Sequence, residues 1–276
     1  MSYSATIVVP LRRQVDEWID ESVRSALLQS VPTEVIVVRS EMTPASNLRI
    51  LNSLQRHFAN LAVLGEDKPE SFPGAINKGI RHASSKRVGF LLSDDWLDEC
   101  AVAECLRNNA DIVCTGSVVY FPDGSINGRA CRHPSLQEFN SIETLEERAS
   151  YLGHFFLLRR QIVLDAGGLD ESIGNYPGID DFDLIWTLLE RNATVSIVAK
   201  GLYHYRDHDG ERLTLQDPAL MVANLKKILR KHGITDEQAV DVVKRHARWY
   251  GKPMYQVMNE RIVPVFVEIG AAGAVG

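Results

Sequence analysis

Short runs of apolar, mostly β-branched residues recur at Ala5–Pro10, Glu34–Val38, Leu61–Leu64 and Arg87–Leu92. Each has the length and continuous hydrophobicity of a strand covered on both faces. Between the first two, Trp18, Ile19, Val23, Ala26 and Leu27 fall on one helical face, with Asp16 expected as the N-cap. The same periodicity predicts helices over Ala45–Phe58 and Gly74–Ala83. A strand–helix unit repeating about every 30 residues is what parallel crossovers require, so the first third predicts a Rossmann-like, doubly wound, mostly parallel α/β sheet.

Beyond about Asp111 the pattern changes. Two short strands, Ile112–Thr115 and Val118–Phe121, are expected around a Pro122-Asp123-Gly124 turn, followed by a polar stretch to Ser150 without periodicity. Phe155–Leu158 reads as a strand, Gln161–Ala166 and Asp181–Arg191 as helices, and Val195–Val198 as a strand. After Pro218, two amphipathic helices are expected over Ala219–His232 and Asp236–Tyr250, the second capped by Thr235. The tail 271–276 is small-residued and expected to be flexible.

Composition narrows the function. The chain has 276 residues, 45% of them hydrophobic, enough for a large core. Its net charge of −6 is the wrong sign for neutralising phosphates along nucleic acid, so no nucleic-acid partner is expected. Cys100, Cys105, Cys114 and Cys131 lack zinc spacing and read as reduced thiols. With no basic leader and no apolar run of about 18 residues, no transmembrane segment is expected, and the location expected is cytoplasmic.

In a doubly wound sheet, ligands sit beyond the carboxyl ends of the strands. That gathers Pro10-Leu11-Arg12, Arg39-Ser40-Glu41, Gly65-Glu66-Asp67 and Ser93-Asp94-Asp95 around one crevice. No GxGxxG or GxxxxGK[ST] motif occurs, which removes the dinucleotide and P-loop readings. Two carboxylates ending an apolar strand, Asp94 and Asp95, suit a hard divalent cation that can bridge diphosphate oxygens. Asp180, Asp181 and Asp183 crowd the start of a helix, where one could act as a base toward a hydroxyl. The mutual repulsion of these acids is expected to raise the pKa of Asp181. His208 beside Arg206 offers imidazole for a metal and guanidinium for phosphate.

The strand ending in Pro10, Glu-Val-Ile-Val-Val, Gly74-Ala75-Ile76-Asn77-Lys78-Gly79-Ile80, Phe-Leu-x-Ser-Asp-Asp, Gly-Gly-Leu-Asp-Glu, Asp-Asp-Phe-Asp-Leu and Tyr-Arg-x-His stand in order. This series resembles the family 2 glycosyltransferases of GT-A fold over roughly residues 5–212. The resemblance implies inverting transfer of a sugar from a nucleotide-diphosphate donor to a glycan or lipid-linked acceptor, with Mn2+ or Mg2+ as cofactor. It places Asp94 and Asp95 at ribose and metal, His208 at the metal, Asp181 as base and Asn77 in the donor pocket. Arg206 and Arg212 would face the diphosphate or its covering loop.

The implied organisation is a GT-A domain over 1–215, with a nucleotide half to about 110 and an acceptor half from 111. A C-terminal helical module follows over 216–270, packing on the core, forming a homodimer or touching a membrane surface. Where the family has Asp-Asp-Gly-Ser after the second strand, this chain has Arg39-Ser40-Glu41-Met42, so uridine is not implied over guanosine or thymidine. Arg39, Glu41 and Asp67 are the candidate readers of the base, and Leu92 replaces the first acid of the DxD run. Sugar-phosphate nucleotidyl transfer and a non-catalytic binding subunit are the alternative readings.

Overall fold

The computed structural model describes residues 2–68, 70–121, 123–128, 131–173, 180–208, 218–239, 242, 248–249, 252–253, 255–258 and 261–264. The chain divides into two compact units, residues 1–175 with 180–207, and residues 176–179 with 208–276.

The first unit opens with β1 (Ala5–Leu11), α1 (Asp16–Leu27), β2 (Thr33–Arg39), α2 (Ala45–His57), β3 (Leu61–Gly65), α3 (Phe72–His82) and β4 (Arg87–Phe90). It continues through β5 (Trp96–Leu97), α4 (Ala101–Leu106), β6 (Ile112–Tyr120), α5 (Leu136–Ser141), α6 (Leu145–Tyr151), β7 (Phe156–Arg159), α7 (Arg160–Asp165), α8 (Asp180–Glu190) and β8 (Val195–Arg206). One eight-stranded sheet has the order β3-β2-β1-β4-β7-β6-β8-β5. The β3-β2-β1-β4 and β6-β8 neighbours are parallel, and only β7 and β5 run against the rest. This is the expected doubly wound, mostly parallel α/β sheet.

Every residue of β1 is buried, which explains its unbroken apolar run. Ala5, Ile7, Val9 and Leu11 join Ile19 and Val23 of α1 and Leu51 and Leu54 of α2 in one core cluster. The opposite face of β1 receives α3: a Cβ on Gly79 would lie 2.3 Å from Val8 Cγ1, so glycine there permits the close approach. Because the chain winds from β1 to β3 on one side and returns to β4 on the other, the carboxyl ends of β1 and β4 flank the switch point.

Several elements depart from the expectations. Asp16 is not the cap of α1; Val15 holds that place, and the Asp16 carboxylate instead accepts from Asn47 Nδ2 at 2.6 Å. The two strands expected after Asp111 are one, β6, whose register shifts between Thr115 and Ser117 absorb the Gly116 break. The polar stretch before Ser150 holds α5 and α6, each only a few residues long and capped by Ser135 or Thr144. β8 runs on to Arg206, well past Val198.

The second unit contains α9 (Pro218–Lys231), β9 (Arg248–Trp249), β10 (Lys252–Pro253), β11 (Tyr255–Met258) and β12 (Arg261–Pro264). α9 is the first expected helix, closed by Gly233 at a positive φ of 78°. Thr235 and Gln238 form a capping box, with Gln238 N donating to Thr235 Oγ1 at 3.3 Å and Thr235 N to Gln238 Oε1 at 3.0 Å. The helix expected to reach Tyr250 gives way to a strand at Arg248–Trp249, and two antiparallel pairs, β9–β10 and β11–β12, follow. No helix among the described residues is long and apolar enough to cross a membrane. The tail 271–276 lies outside the described residues.

Candidate active site

The strand β4 ends at Phe90, and the chain turns through Ser93, Asp94 and Asp95 before β5. Three contacts pin this turn. Ser22 Oγ of α1 donates to Leu92 O at 3.0 Å, Gln14 Nε2 to Ser93 Oγ at 3.3 Å, and Asp95 N to Leu92 O at 3.2 Å. Asp95 is 1% exposed. Its Oδ2 accepts from the Tyr203 hydroxyl at 2.5 Å and its Oδ1 from Arg206 N at 2.8 Å, both from β8. Burial and the charge of Asp94 push the Asp95 carboxyl well above the usual carboxylate range, against those two donors. Both Asp95 oxygens are thus committed to β8, whereas Asp94 is half-buried.

Arg206 does not reach out freely from its strand. Its guanidinium lies between the rings of Trp18, 5.0 Å away, and Trp96, 4.7 Å away. Nε donates to Asp94 O at 2.9 Å, and Nη2 pairs with Glu21. Trp96 stacks in turn on His204, with centroids 5.2 Å apart. Arg206 therefore clasps the acidic turn to α1.

Asp181, in the first turn of α8, faces His154 across 3.2 Å, Nε2 to Oδ2. Burial pushes the Asp181 carboxyl up, but the His154 hydrogen bond and charge, the Phe182 N–H and the nearby Arg132 outweigh it and hold the group below the usual range. The expectation that neighbouring acids raise this pKa is corrected: burial is what pushes it up, and His154, the Phe182 N–H and Arg132 outweigh that. His154 also stacks on Tyr203 at 5.4 Å and meets the edges of Phe90 and Phe156. The two acidic motifs are therefore joined by one short bridge, Asp95–Tyr203–His154–Asp181.

The ends of β1, β2 and β3 form the neighbouring part of the crevice. Pro10 is buried within β1 and aligned with Val38. Arg39 ends β2, and no hydrogen bond or ion pair engages its guanidinium among the described residues. Glu41 pairs with Lys68 at 2.7 Å. Asp67 turns to α3, 2.6 Å from Lys78 Nζ and 3.2 Å from Arg81 Nη2. Glu70, which the sequence did not single out, accepts from Ser40 Oγ at 2.5 Å and Glu41 N at 2.7 Å.

Beside Glu70, the Glu66 carboxyl is pushed up to about 7 by burial and by the Glu70 charge, against Arg12 and Lys68. A carboxyl raised on folding stabilises fully below its unfolded pKa near 4.5, and that contribution is lost as pH rises through about 7. Glu66→Gln should therefore raise Tm near pH 8 and change it little near pH 5. A Tm difference independent of pH in thermal melts would contradict the assignment.

Asn77 spends its amide on the Gly-Gly-Leu-Asp-Glu loop. Nδ2 donates to Leu169 O and Glu171 Oε1, each at 2.9 Å, and Oδ1 accepts from Leu169 N at 2.8 Å. Gly168 allows this clamp: its φ is +78°, and a Cβ there would lie 2.3 Å from Asn77 Oδ1. His208 is buried and belongs to the second unit. Arg212 lies outside the described residues. Among the described residues no three His, Cys, Asp or Glu side chains gather as a metal site. The acids present still suit a cation, because Asp94 and Asp95 repel each other and the Arg206 guanidinium beside them shares its charge with Glu21.

A parallel sheet with an acidic turn at its switch point, facing a second acid from the other half, is the frame of a GT-A transferase. The chain belongs to glycosyl transferase family 2, whose family model matches residues 6–166. It is 24% identical over 204 residues to the O-antigen biosynthesis protein RfbC of Myxococcus xanthus, covering 73% of this chain and 16% of that protein. The chain thus spans about a sixth of that relative. Among solved structures, S. aureus TarS in complex with UDP-GlcNAc matches with a TM-score of 0.62 at 19% identity, over 88% of this chain and 72% of that one. TarS in complex with UDP matches at 0.61 and 18%, over 88% and 71%. These two likenesses establish the fold.

Proposed function

We propose that the chain transfers a sugar, with inversion, from a nucleoside diphosphate donor to the hydroxyl of a glycan or lipid-linked acceptor. The observation that supports this reading is the bridge from the Asp94–Asp95 turn to Asp181, which links the candidate diphosphate-side acids to the candidate base within the first unit. In a single displacement at the anomeric carbon, the acceptor oxygen forms its bond as the bond to the diphosphate oxygen breaks. The acceptor proton passes to Asp181, whose low pKa keeps it ionised and ready. A divalent cation held at Asp94, with Asp95 behind it, would offset the charge gathering on the leaving diphosphate. By the family resemblance, His208 is proposed as a ligand of the cation and Arg212 as a residue of the diphosphate or its covering loop.

Arg39 is the base-reading candidate, because Glu41 and Asp67 are already paired with cations. The structural relatives solved with UDP-GlcNAc and UDP make uridine donors the first to test. A panel of UDP, GDP, TDP and CDP, with their sugars, should reveal one nucleotide that raises Tm in Mn2+ and loses this effect in EDTA. Arg39→Asp should then shift the preference toward uridine. A wild type that already binds UDP far more tightly than the others, with Arg39→Asp leaving the ranking unaltered, would remove Arg39 as reader. No stabilisation by any of them would count against the donor class itself.

A further inference from the structure

His154 lies in no motif of the sequence, yet it touches Asp181 on one side and Phe90 and Tyr203, beside the Asp94–Asp95 turn, on the other. Its Nε2 faces Asp181 Oδ2 at 3.2 Å. Its ring is boxed by Phe90, Phe156 and Tyr203, at 5.4, 5.3 and 5.4 Å. Its other nitrogen, Nδ1, is buried with no hydrogen-bond partner. A shuttling imidazole must pass a proton through its second nitrogen, and here that nitrogen is sealed in an aromatic box. Nε2 donates its proton to Asp181, and Nδ1 has no partner to which it could relay one.

We infer that His154 is a positioning residue for sugar transfer: it fixes the orientation of the Asp181 carboxylate and, through its stack on Tyr203, ties that carboxylate to the Asp94–Asp95 turn. The inference rests on the reading of Asp181 as the base. Asp181 Oδ2 is held by the imidazole and Oδ1 accepts the Phe182 N–H at 2.8 Å, which leaves the remaining lone pair of Oδ1 for an acceptor hydroxyl. Tyr203, whose phenol is kept protonated by burial and by Asp95, transmits the position of one motif to the other. Charged groups nearby include Arg132, the Asp180 and Asp183 of α8 itself, and Glu146, Glu147 and Arg148 of α6, which packs on α8; among the side chains of the described residues, it is His154 that hydrogen-bonds Asp181.

The test compares His154→Phe, which suits the aromatic box but donates nothing, with His154→Gln, whose amide can reach as a donor. Both are made in the wild type and in Asp181→Asn, and initial rates of donor turnover are measured across pH. Nucleotide binding and Tm serve as the check of folding. His154→Phe should lower kcat about 10- to 100-fold with donor KM nearly unchanged, and should move the acid limb of the pH profile upward. His154→Gln should recover much of the loss. In Asp181→Asn, His154→Phe should cost nothing further, since the two act as a unit.

Independent, multiplying losses, or an unmoved acid limb in a folded His154→Phe protein, would overturn the positioning role and leave the base reading intact. Wild-type rates in Asp181→Asn would overturn both.

Discussion

Asp181→Asn is expected to lower sugar transfer by about 10²- to 10⁴-fold in kcat while leaving nucleotide affinity within about twofold, because the carboxylate acts on the acceptor hydroxyl and not on the diphosphate. The change is isosteric, and the Asn side chain can still accept from His154, so the fold should be preserved. The pH dependence follows from the direction of the shift. A base whose pKa lies below the usual range is ionised at neutrality and is lost only as pH falls through that lowered value. The wild-type kcat/KM should therefore stay level from neutrality down past about pH 5, the upper edge of the ordinary carboxylate range. More than about a tenth of wild-type turnover in Asp181→Asn would move the role to Asp180 or Asp183. An acid limb well above pH 5 would show that His154 does not hold the carboxylate as the structure has it.

The half of the molecule with continuous apolar strands was legible because burial on both faces leaves a pattern that needs no context. β1 to β4 fall within a residue or two of their expected places. The missed helices α5 and α6 are too short for periodicity to register, although their capping signals were present. Ser135 with Glu138 and Thr144 with Glu147 have the cap spacing, and Ser135 Oγ and Thr144 Oγ1 accept the N–H groups expected of them. β6 looked like two strands because Gly116 interrupts the apolar run. The structure needs that glycine, since a Cβ there would meet Arg132 O at 2.5 Å.

The acids of the site were visible because two adjacent carboxylates end a strand whose carboxyl end faces the crevice of a doubly wound sheet, a place that a plain turn or cap does not explain. What could not be read was how they share the work. That depends on Tyr203 and Arg206, 108 and 111 positions from Asp95. It depends equally on His154, a lone histidine of the kind that is usually a satisfied surface or core residue. Arg206 shows the same limit: its position beside His208 suggested phosphate, whereas two tryptophans and Glu21 from the chain's first helix occupy its guanidinium.

The division of labour between the adjacent acids gives the second large effect. Asp94→Asn should leave Tm nearly unchanged and weaken Mn2+-dependent nucleotide binding about 10- to 100-fold, since it removes the charge that would hold the cation. Asp95→Ala should instead destabilise by about 3 kcal/mol, because it leaves the buried Tyr203 hydroxyl and the Arg206 N–H without their acceptor. Asp95→Asn, which keeps an acceptor for Arg206 and lets the Tyr203 hydroxyl turn, should recover most of that stability. Calorimetric titration of the nucleotide with Mn2+ and with EDTA, set beside thermal melts of all three variants, separates the positions. Equal losses of cation-dependent binding in folded Asp94→Asn and Asp95→Asn would mean that both carboxylates meet the metal, and that the hydrogen bonds of Asp95 to β8 yield when the donor arrives. Equal nucleotide affinity of the wild type in EDTA and in Mn2+ would remove the cation from the site, leaving the repulsion between Asp94 and Asp95 to be relieved by protonation of the buried member of the pair.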